Sequence, residues 1–439
     1  MKKSVLLLML GAAALAGCAS TRPAGAASTT PTQAAAQDPA TVAASMDSSR
    51  DIVLAVSNPL EPAATHAGSS LLGYAPAPNY GAGQRARSLL SDLRHQYGWN
   101  EVGGWPIRAL GVYCIVLRPP AGMDRDTLIA ALSKDQRVEL AQPLQEYAVY
   151  SSPPQAQTTD EEHYNDPYTD LQRGFVETHA AEAHAVTQGD GVQVAVVDTG
   201  VDTSHPDLKG HLAGIRDEVS DNDKAFGTDR HGTEVAGIIA AVGNNHQGMV
   251  GMAPKASVSV YKACWYADGS NAARCNSFTL AKALAAVNDT DARIVNLSLG
   301  GPADPLLGRL LAQLLSQGRI VIAALPPDGK VGGFPDSAPG VIVVRSSANG
   351  PAPPGVVSAP GNDILTTQPG GGYDFTSGSS MATAHVSGIV ALLLSVAPGL
   401  DANGVRDILL RTSAPTNGLV QVDAAAAVDA IPKKSLAKR

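Results

Sequence analysis

The stretch that decides the fold is GVQVAVVDTGVD, residues 191–202. Its centre is an almost continuous apolar run, which is typical of a strand buried on both faces of a parallel sheet. Three more such runs follow it, separated by helical segments: RIVNLSL at 293–299, RIVIAAL at 319–325 and GVIVV at 340–344. The pattern predicts one α/β domain, over residues 166–432, with a mostly parallel central sheet.

A different pattern precedes this domain. Residues 50–150 alternate as β-α-β-β-α-β, from the apolar DIVLAVSN at 51–58 to a closing strand in RVELAQPLQEYAVY at 137–150. Asp124 is a good N-cap for the second helix. This order of elements is the ferredoxin-like motif and predicts a small α+β unit. The polar, proline-containing segment 151–165 then reads as a linker.

The first 18 residues predict export. A basic start, MKK, leads into a short apolar stretch that ends in LAGC at Cys18, and this stretch is too short for a comfortable membrane span. LAGC resembles the lipobox of bacterial lipoproteins, in which the cysteine is diacylated. We therefore expect a lipid anchor at Cys18 in the cell envelope, and Ala19 favours the outer membrane. Ordinary secretion with a chance cysteine is the alternative.

The segments next to the folded units are polar. Residues 19–49 are rich in Ala, Ser, Thr, Pro and Gln and read as a flexible tether, and residues 433–439 form a basic tail. The net charge of -8 argues against nucleic acid as the main partner. With 439 residues the chain is long enough for two or more folded units.

Three cysteines follow Cys18. In an exported protein, Cys264 and Cys275 are placed to close a short disulfide loop. Cys114 then remains unpaired as a buried apolar residue. No His or Cys pair has the spacing of a zinc site, so no metal is predicted.

Three short motifs contain the candidate catalytic residues. Asp198 follows the buried strand in VAVVDTGVD, His231 opens a helix in HGTEVAGIIAA, and Ser380 precedes a long apolar helix in GSSMATAHVSG. Taken singly, each has a structural reading: a strand-end turn, a capping histidine and an N-cap serine. At a helix start, the dipole disfavours the charged form of His231 and helps it to act as a neutral base.

Together, the motifs and their Asp…His…Ser order resemble the subtilisin-like serine protease family, from DPYTDLQRGF at 166–175 to GLVQVDAAAAV at 418–428. The resemblance implies a three-layer sandwich fold and an endopeptidase that cleaves peptides or proteins. It also implies that Ser380 is the nucleophile, His231 the general base and Asp198 the residue that orients it. An esterase lacks support because no Gly-x-Ser-x-Gly elbow follows a strand.

Other polar residues near the motifs are rivals for these roles. Ser379 is a rival nucleophile, but it stands at the family's Thr position in GTSMA. His205 and His385 are rival bases, and both match structural positions of the family. Ala384 replaces the usual Pro, which affects helix packing more than chemistry.

The resemblance also assigns partners. Ser298, Leu299 and Gly300 match the strand that pairs with an extended peptide substrate. The unit at 50–150 matches the family's propeptide, a folding chaperone and intramolecular inhibitor, with cleavage expected within the linker 151–165. The enzyme would then leave the membrane unless the propeptide stays bound. NNHQG, at 244–248, loosely matches a calcium loop but has no carboxylate, so no cofactor is predicted.

One segment departs from the family. The family has Asn after AAG, and its side chain donates to the oxyanion, whereas this chain has AALPPDG at 323–329. Three interpretations compete. Asp328 replaces the Asn, either as a buried, protonated carboxyl or through a bridging water; the Ser380 N–H and other backbone donors act alone in a slow protease; or the chain is a weak or inactive peptide-binding lipoprotein.

Overall fold

The first folded unit is a four-stranded antiparallel sheet with two helices. A computed structural model describes residues 43, 45–59, 81–149, 164–220, 223–266, 272–350 and 352–432 of the chain. The unit's elements are β1 (Ile52–Ser57), α1 (Gln84–Tyr97), β2 (Asn100–Ile107), β3 (Val112–Arg118), α2 (Arg125–Leu132) and β4 (Val138–Pro143). The strand order β2-β3-β1-β4 confirms the ferredoxin-like arrangement.

Several predictions fall outside the described residues. These are the signal sequence with Cys18, most of the tether 19–49, Tyr150, nearly all of the linker 151–165 and the tail 433–439.

Alternation along β1 explains how both faces of this sheet are covered. Ile52, Leu54 and Val56 pack with the two helices, because their side chains share one face. Val53 and Ala55 point the other way and join a core formed with helices of the α/β domain that follows in the chain. The sheet therefore packs directly on the domain that follows it.

The folded unit begins before residue 50. Ala43 is buried and Met46 packs against the core. The Arg118 guanidinium donates to both carboxylate oxygens of Asp51, at 2.9 Å each, and to the carbonyl of Ser45. The end of the segment predicted as tether is thus part of the fold.

The rest of the described chain contains many short elements around one large sheet. In chain order they are β5 (Glu146–Val149), α3 (Arg173–Glu177), α4 (Ala180–His184), β6 (Gln193–Asp198), β7 (Leu212–Asp217), α5 (Arg230–Ala240), β8 (Ser257–Lys262), β9 (Cys264–Tyr266), β10 (Ala273–Asn276), α6 (Ser277–Asn288), β11 (Ile294–Leu297), β12 (Leu299–Gly300), α7 (Pro305–Ser316), β13 (Ile320–Ala324), β14 (Ile342–Ser346), β15 (Val357–Ala359), β16 (Ile364–Gln368), β17 (Gly372–Thr376), α8 (Ser379–Val396), α9 (Ala402–Thr412), β18 (Ala414–Thr416), β19 (Leu419–Gln421) and α10 (Ala424–Asp429).

The large sheet has seven strands in the order β15-β14-β13-β11-β6-β8-β7, and all its neighbours are parallel. Both faces are covered, as the apolar runs predict. In β13, Ile320 and Ile322 join the core that contains α5 and α8, while Val321 and Ala323 join the core that contains α6 and α7. The predicted fold class, a parallel sheet between helical layers after a small α+β unit, is confirmed.

Helix α8 is the centre of one helical layer. Every one of its residues is buried. Among the described residues it alone has the length and hydropathy to cross a membrane, and its complete burial identifies it as a core helix.

The sequence RVELAQPLQEYAVY was predicted as one strand, but it forms two. β4 ends at Pro143, which has no N–H for continuing the ladder. β5 then leaves the first unit and enters a separate sheet of order β12-β5-β10-β9. The last segment of the predicted unit 50–150 therefore forms a strand in a sheet of the following α/β domain.

Candidate active site

Two of the three candidate catalytic residues meet at the carboxyl end of the central sheet. Asp198 is the last residue of β6, and His231 is the second residue of α5. His231 Nδ1 lies 2.7 Å from Asp198 Oδ1, and both side chains are buried. The Thr199 N–H donates to the same oxygen at 2.6 Å. Asp198 thus fixes the orientation of the imidazole ring.

Close packing at the start of α5 holds His231 in place. A Cβ on Gly232 would lie 2.5 Å from the Gly200 carbonyl oxygen, so only glycine fits there. The Gly232 N–H donates to Thr199 Oγ1 at 2.8 Å. The His231 N–H donates to the Tyr266 hydroxyl at 3.0 Å. Two side chains therefore cap the amides of the first turn.

Ser380 lies in the first turn of α8 and is joined to the strand predicted to bind substrate. Its hydroxyl donates to the Ser298 carbonyl at 2.9 Å, and Ser298 Oγ donates to the Ser380 carbonyl at 3.1 Å. Ser298 Oγ also contacts Asn296 Oδ1 at 3.0 Å. The pair fixes the start of α8 against the end of β11.

His231 Nε2 is the atom that would receive a proton from a nucleophile. It is buried and has no hydrogen-bond partner among the described residues. Burial opposes protonation of the ring, but the charge and hydrogen bond of Asp198 outweigh it and raise the pKa of His231. The Asp198 carboxylate therefore overrides the helix dipole, which was expected to favour the neutral form.

Sequence reasoning missed four polar side chains around His231. Tyr266 came from no motif. Lys262 Nζ forms a buried ion pair with Asp229 Oδ2 at 2.6 Å, just before α5. Glu234 is buried one turn after His231, accepts a hydrogen bond from Gln368 and contributes to the raised pKa of His231. Only Glu234, at helical spacing from His231, had a sequence signal.

The rival residues are engaged elsewhere. Ser379 Oγ donates to the Leu325 carbonyl at 2.8 Å. His205 contacts the Gly372 carbonyl and the Asp207 N–H. His385 Nδ1 contacts the Met381 carbonyl, and burial lowers the pKa of His385 to about 4. The contacts of Ser379, His205 and His385 are typical of structural roles.

The wall next to Ser380 has no polar side chain where the family places its Asn. Leu325 is buried and its N–H donates to the Val344 carbonyl, and Pro326 has no N–H. Asp328 is exposed, and its carboxylate accepts from the Lys330 N–H at 3.1 Å. The burial that a protonated Asp328 requires is absent, so the structure does not support direct donation from an Asp328 carboxyl to the oxyanion.

The strand predicted to bind substrate is already paired. In β12, Leu299 lies opposite Val149 and Gly300 opposite Ala148, antiparallel. On its other edge, β5 pairs with β10. β5 therefore lies between the two edges as an extended peptide would.

The wall formed by β9 and β10 contains the predicted disulfide. Cys264 and Cys275 are bonded and lie opposite each other in the hairpin. Cys114 is a buried free cysteine in the first unit, and burial raises its pKa.

The polar groups at and beside the loop 244–248, which loosely matches a calcium loop, bind other groups of the protein. Asp207 accepts hydrogen bonds from Asn245, from the Met249 N–H and from the Tyr373 hydroxyl. In the part of the chain that the structure describes, no three His, Cys, Asp or Glu residues are grouped to hold a metal.

Comparison with known proteins identifies the family. Residues 189–431 match the model of the subtilase family, peptidase S8. Thermitase of Thermoactinomyces vulgaris is 34% identical over 58% of this chain and 92% of its own length. Subtilisin E of Bacillus subtilis is 36% identical over 54% of this chain and 66% of its own length.

A solved structure extends the likeness in fold. The crystal structure of fervidolysin from Fervidobacterium pennivorans, a keratinolytic enzyme related to subtilisin, superposes with a TM-score of 0.65. The match covers 87% of this chain and 61% of that one, at 21% identity. The chain therefore belongs to the subtilase family and is a serine-type endopeptidase.

Proposed function

We propose that the chain hydrolyses peptide bonds with Ser380 as nucleophile, His231 as general base and Asp198 as the orienting carboxylate. The observation that carries this proposal is the buried hydrogen bond between His231 Nδ1 and Asp198 Oδ1, which leaves His231 Nε2 without a hydrogen-bond partner among the described residues. The identity of 34% to thermitase supports the same roles.

The chemistry follows in two stages. Ser380 Oγ turns from the Ser298 carbonyl, gives its proton to His231 Nε2 and attacks the peptide carbonyl carbon. When the C–N bond breaks, His231 returns the proton to the leaving amine, and an acyl-enzyme remains on Ser380. Water then attacks the ester carbonyl and gives a proton to His231. When the C–O bond to Ser380 breaks, His231 returns this proton to Ser380 Oγ, which releases the acid and regenerates the serine.

The oxyanion is stabilised by backbone dipoles. Ser380 lies in the first turn of α8, where the helix carries partial positive charge. The wall at Leu325 and Pro326 contributes no side-chain donor. Loss of one such donor typically lowers turnover about 10²–10³-fold, so we infer a slow protease rather than an inactive one.

The first unit acts as an intramolecular inhibitor. β5 pairs with β12 on one edge and β10 on the other, which blocks access of other peptides to the same strands. The register supports a processing site. Val149 lies opposite Leu299 at the end of this pairing, so cleavage is proposed just beyond it, at the bond between Tyr150 and Ser151.

The same cleavage would change the protein's location. We infer that Cys18 carries a lipid that holds the uncleaved chain at the bacterial cell envelope, in the outer membrane. Because the anchor and the catalytic domain lie on opposite sides of the linker, processing would separate them. The released domain would stay near the membrane only while the inhibitor unit remains bound.

Mass spectrometry of the wild-type chain and of Ser380→Ala, each produced in a Gram-negative host, tests the proposal. The wild type should yield a fragment beginning at Ser151, and Ser380→Ala should remain intact with a diacylglyceryl mass at Cys18. Equal cleavage of both proteins would exclude self-processing. An intact wild type would exclude processing altogether.

A further inference from the structure

We propose that this protease selects tyrosine at the fourth residue before the scissile bond, through a hydrogen bond from the phenol to buried Asp304. The inference rests on the proposed function, because it takes β5 as a substrate-like strand. It goes beyond that function by naming a substrate class and the residue that recognises it.

Tyr147 of β5 fills a closed pocket in the cleft. Its side chain is 2% exposed. The ring of Phe334 meets it edge-on, with ring centroids 5.6 Å apart. On the other side, a Cβ on Gly301 would lie 2.4 Å from Tyr147 Cδ1. Glycine at position 301 therefore makes the space for an aromatic ring.

The floor of the pocket is polar. The Tyr147 hydroxyl donates to Asp304 Oδ2 at 3.1 Å, and Ser277 Oγ donates to the same oxygen at 2.6 Å. Asp304 Oδ1 accepts from the Leu307 N–H at 3.0 Å, as the N-cap of α7. Asp304 is 5% exposed, so water has little access to replace the phenol.

Phenylalanine fits the walls but not the floor. It would leave Asp304 Oδ2 with one donor fewer in a desolvated site, and a pocket built for a hydroxyl discriminates strongly against the analogue that lacks it. Burial and then the Asp304 charge raise the pKa of Tyr147, so its phenol stays protonated as a donor. O-methyltyrosine has no proton to donate and is larger.

The direct test uses the processed enzyme and quenched peptides containing Xaa-Ala-Val-Tyr-Ser-Ser, where Xaa is Tyr, Phe or O-methyltyrosine. We expect kcat/KM about 10- to 100-fold higher for Tyr than for Phe. Asp304→Asn should reduce this ratio several-fold. Asp401→Asn, which alters the N-cap aspartate of α9, is the matched control and should leave the ratio unchanged. Equal values for Tyr and Phe in the wild type would overturn the proposal.

A second measurement separates this proposal from the proposed function. If no peptide is cleaved, the catalytic assignment fails, but the pocket is still testable in the intact Ser380→Ala chain by hydrogen exchange. Tyr147→Phe should speed exchange of the β5 amides about tenfold. Tyr97→Phe, which removes the hydroxyl that donates to Asp135 Oδ2 at 3.2 Å, should not. Unchanged β5 exchange in Tyr147→Phe would refute recognition of the phenol.

Discussion

The two sides of the proposed active site differ in how they are built. On one side, His231 and Asp198 are buried, hydrogen-bonded and supported by the Tyr266 hydroxyl. On the other, the wall passes from buried Leu325 to a turn in which Asp328 is exposed and binds only a nearby amide among the described residues. The groups proposed for proton transfer are tightly fixed, whereas the described wall at Leu325 and Pro326 offers no side-chain donor for the oxyanion.

This difference indicates that the chain relies more on proton transfer than on side-chain stabilisation of the oxyanion. Proton transfer by a positioned base and charge stabilisation by preorganised donors are separate contributions to the barrier. A site that has a positioned base but only backbone donors for the oxyanion should react with active-site reagents and yet turn over slowly.

The largest effect is expected from removing the base. His231→Ala should lower kcat/KM at least about 10⁴-fold, since Ser380 then has no proton acceptor. Peptide hydrolysis measures this. His179→Ala, an exposed histidine that binds Asp423, should retain activity. A small loss in His231→Ala would contradict the assignment of the base.

The next largest effect is a gain in kcat from changing the wall at Leu325 and Pro326. Replacing Leu325 and Pro326 by Gly and Asn should raise kcat about tenfold or more, because it supplies a donor of the kind whose loss costs about 10²–10³. KM should change little. Replacement by Gly and Ala is the control, since it relieves the proline without adding a donor. If both variants have the same kcat, the missing amide is not what limits turnover.

Tyr266→Phe should make His231 less firmly positioned, with a smaller effect on kcat. It removes the acceptor of the His231 N–H, so the start of α5 is less firmly held, and kcat should fall about three- to tenfold with KM nearly constant. Tyr261→Phe on the neighbouring strand β8 is a matched change. Equal kcat in the wild type and Tyr266→Phe would show that this contact does not position His231.

The pH profile should respond to charges near His231. Activity requires neutral His231 and is lost as the pH falls through its raised pKa. Glu234→Gln removes a charge that raises this pKa, so the acid limb of kcat/KM should move to lower pH. Arg230→Gln should move it in the opposite direction, because Arg230 lowers the pKa of His231. Shifts of the same sign in both variants would contradict this account.

The smallest effect is expected at Asp328. Because its side chain is exposed, Asp328→Ala should keep kcat/KM within about twofold of the wild type, as for other surface changes. A loss of about 10²-fold would instead restore Asp328 as the oxyanion donor.

The sequence predicts the parts of this molecule that depend on local patterns. The apolar run that ends at Asp198 and the small residues after His231 determine a strand and a helix whose ends meet, and the cysteine spacing predicts the disulfide. The break between β4 and β5 was not predicted. Its apolar residues suit a strand throughout, and the change of sheet depends on contacts with Ser277 and β12.

Contacts between distant segments explain the rest. Tyr266 and Tyr147 gain their roles from hydrogen bonds to His231 and Asp304, which no short-range pattern encodes. The effect of the α5 dipole on His231 is local, but the stronger effect of Asp198 depends on the folded distance. The position of Asp328 after the prolines makes it a candidate donor, and only the fold shows that its side chain is exposed.

The most direct test of the central claim is covalent labelling of the processed enzyme with a fluorophosphonate, followed by peptide mass spectrometry. A serine activated by buried His231 and Asp198 should react even though the oxyanion wall lacks its Asn. We predict a single adduct on Ser380, which His231→Ala abolishes. No adduct, or an adduct on Ser379, would contradict the account.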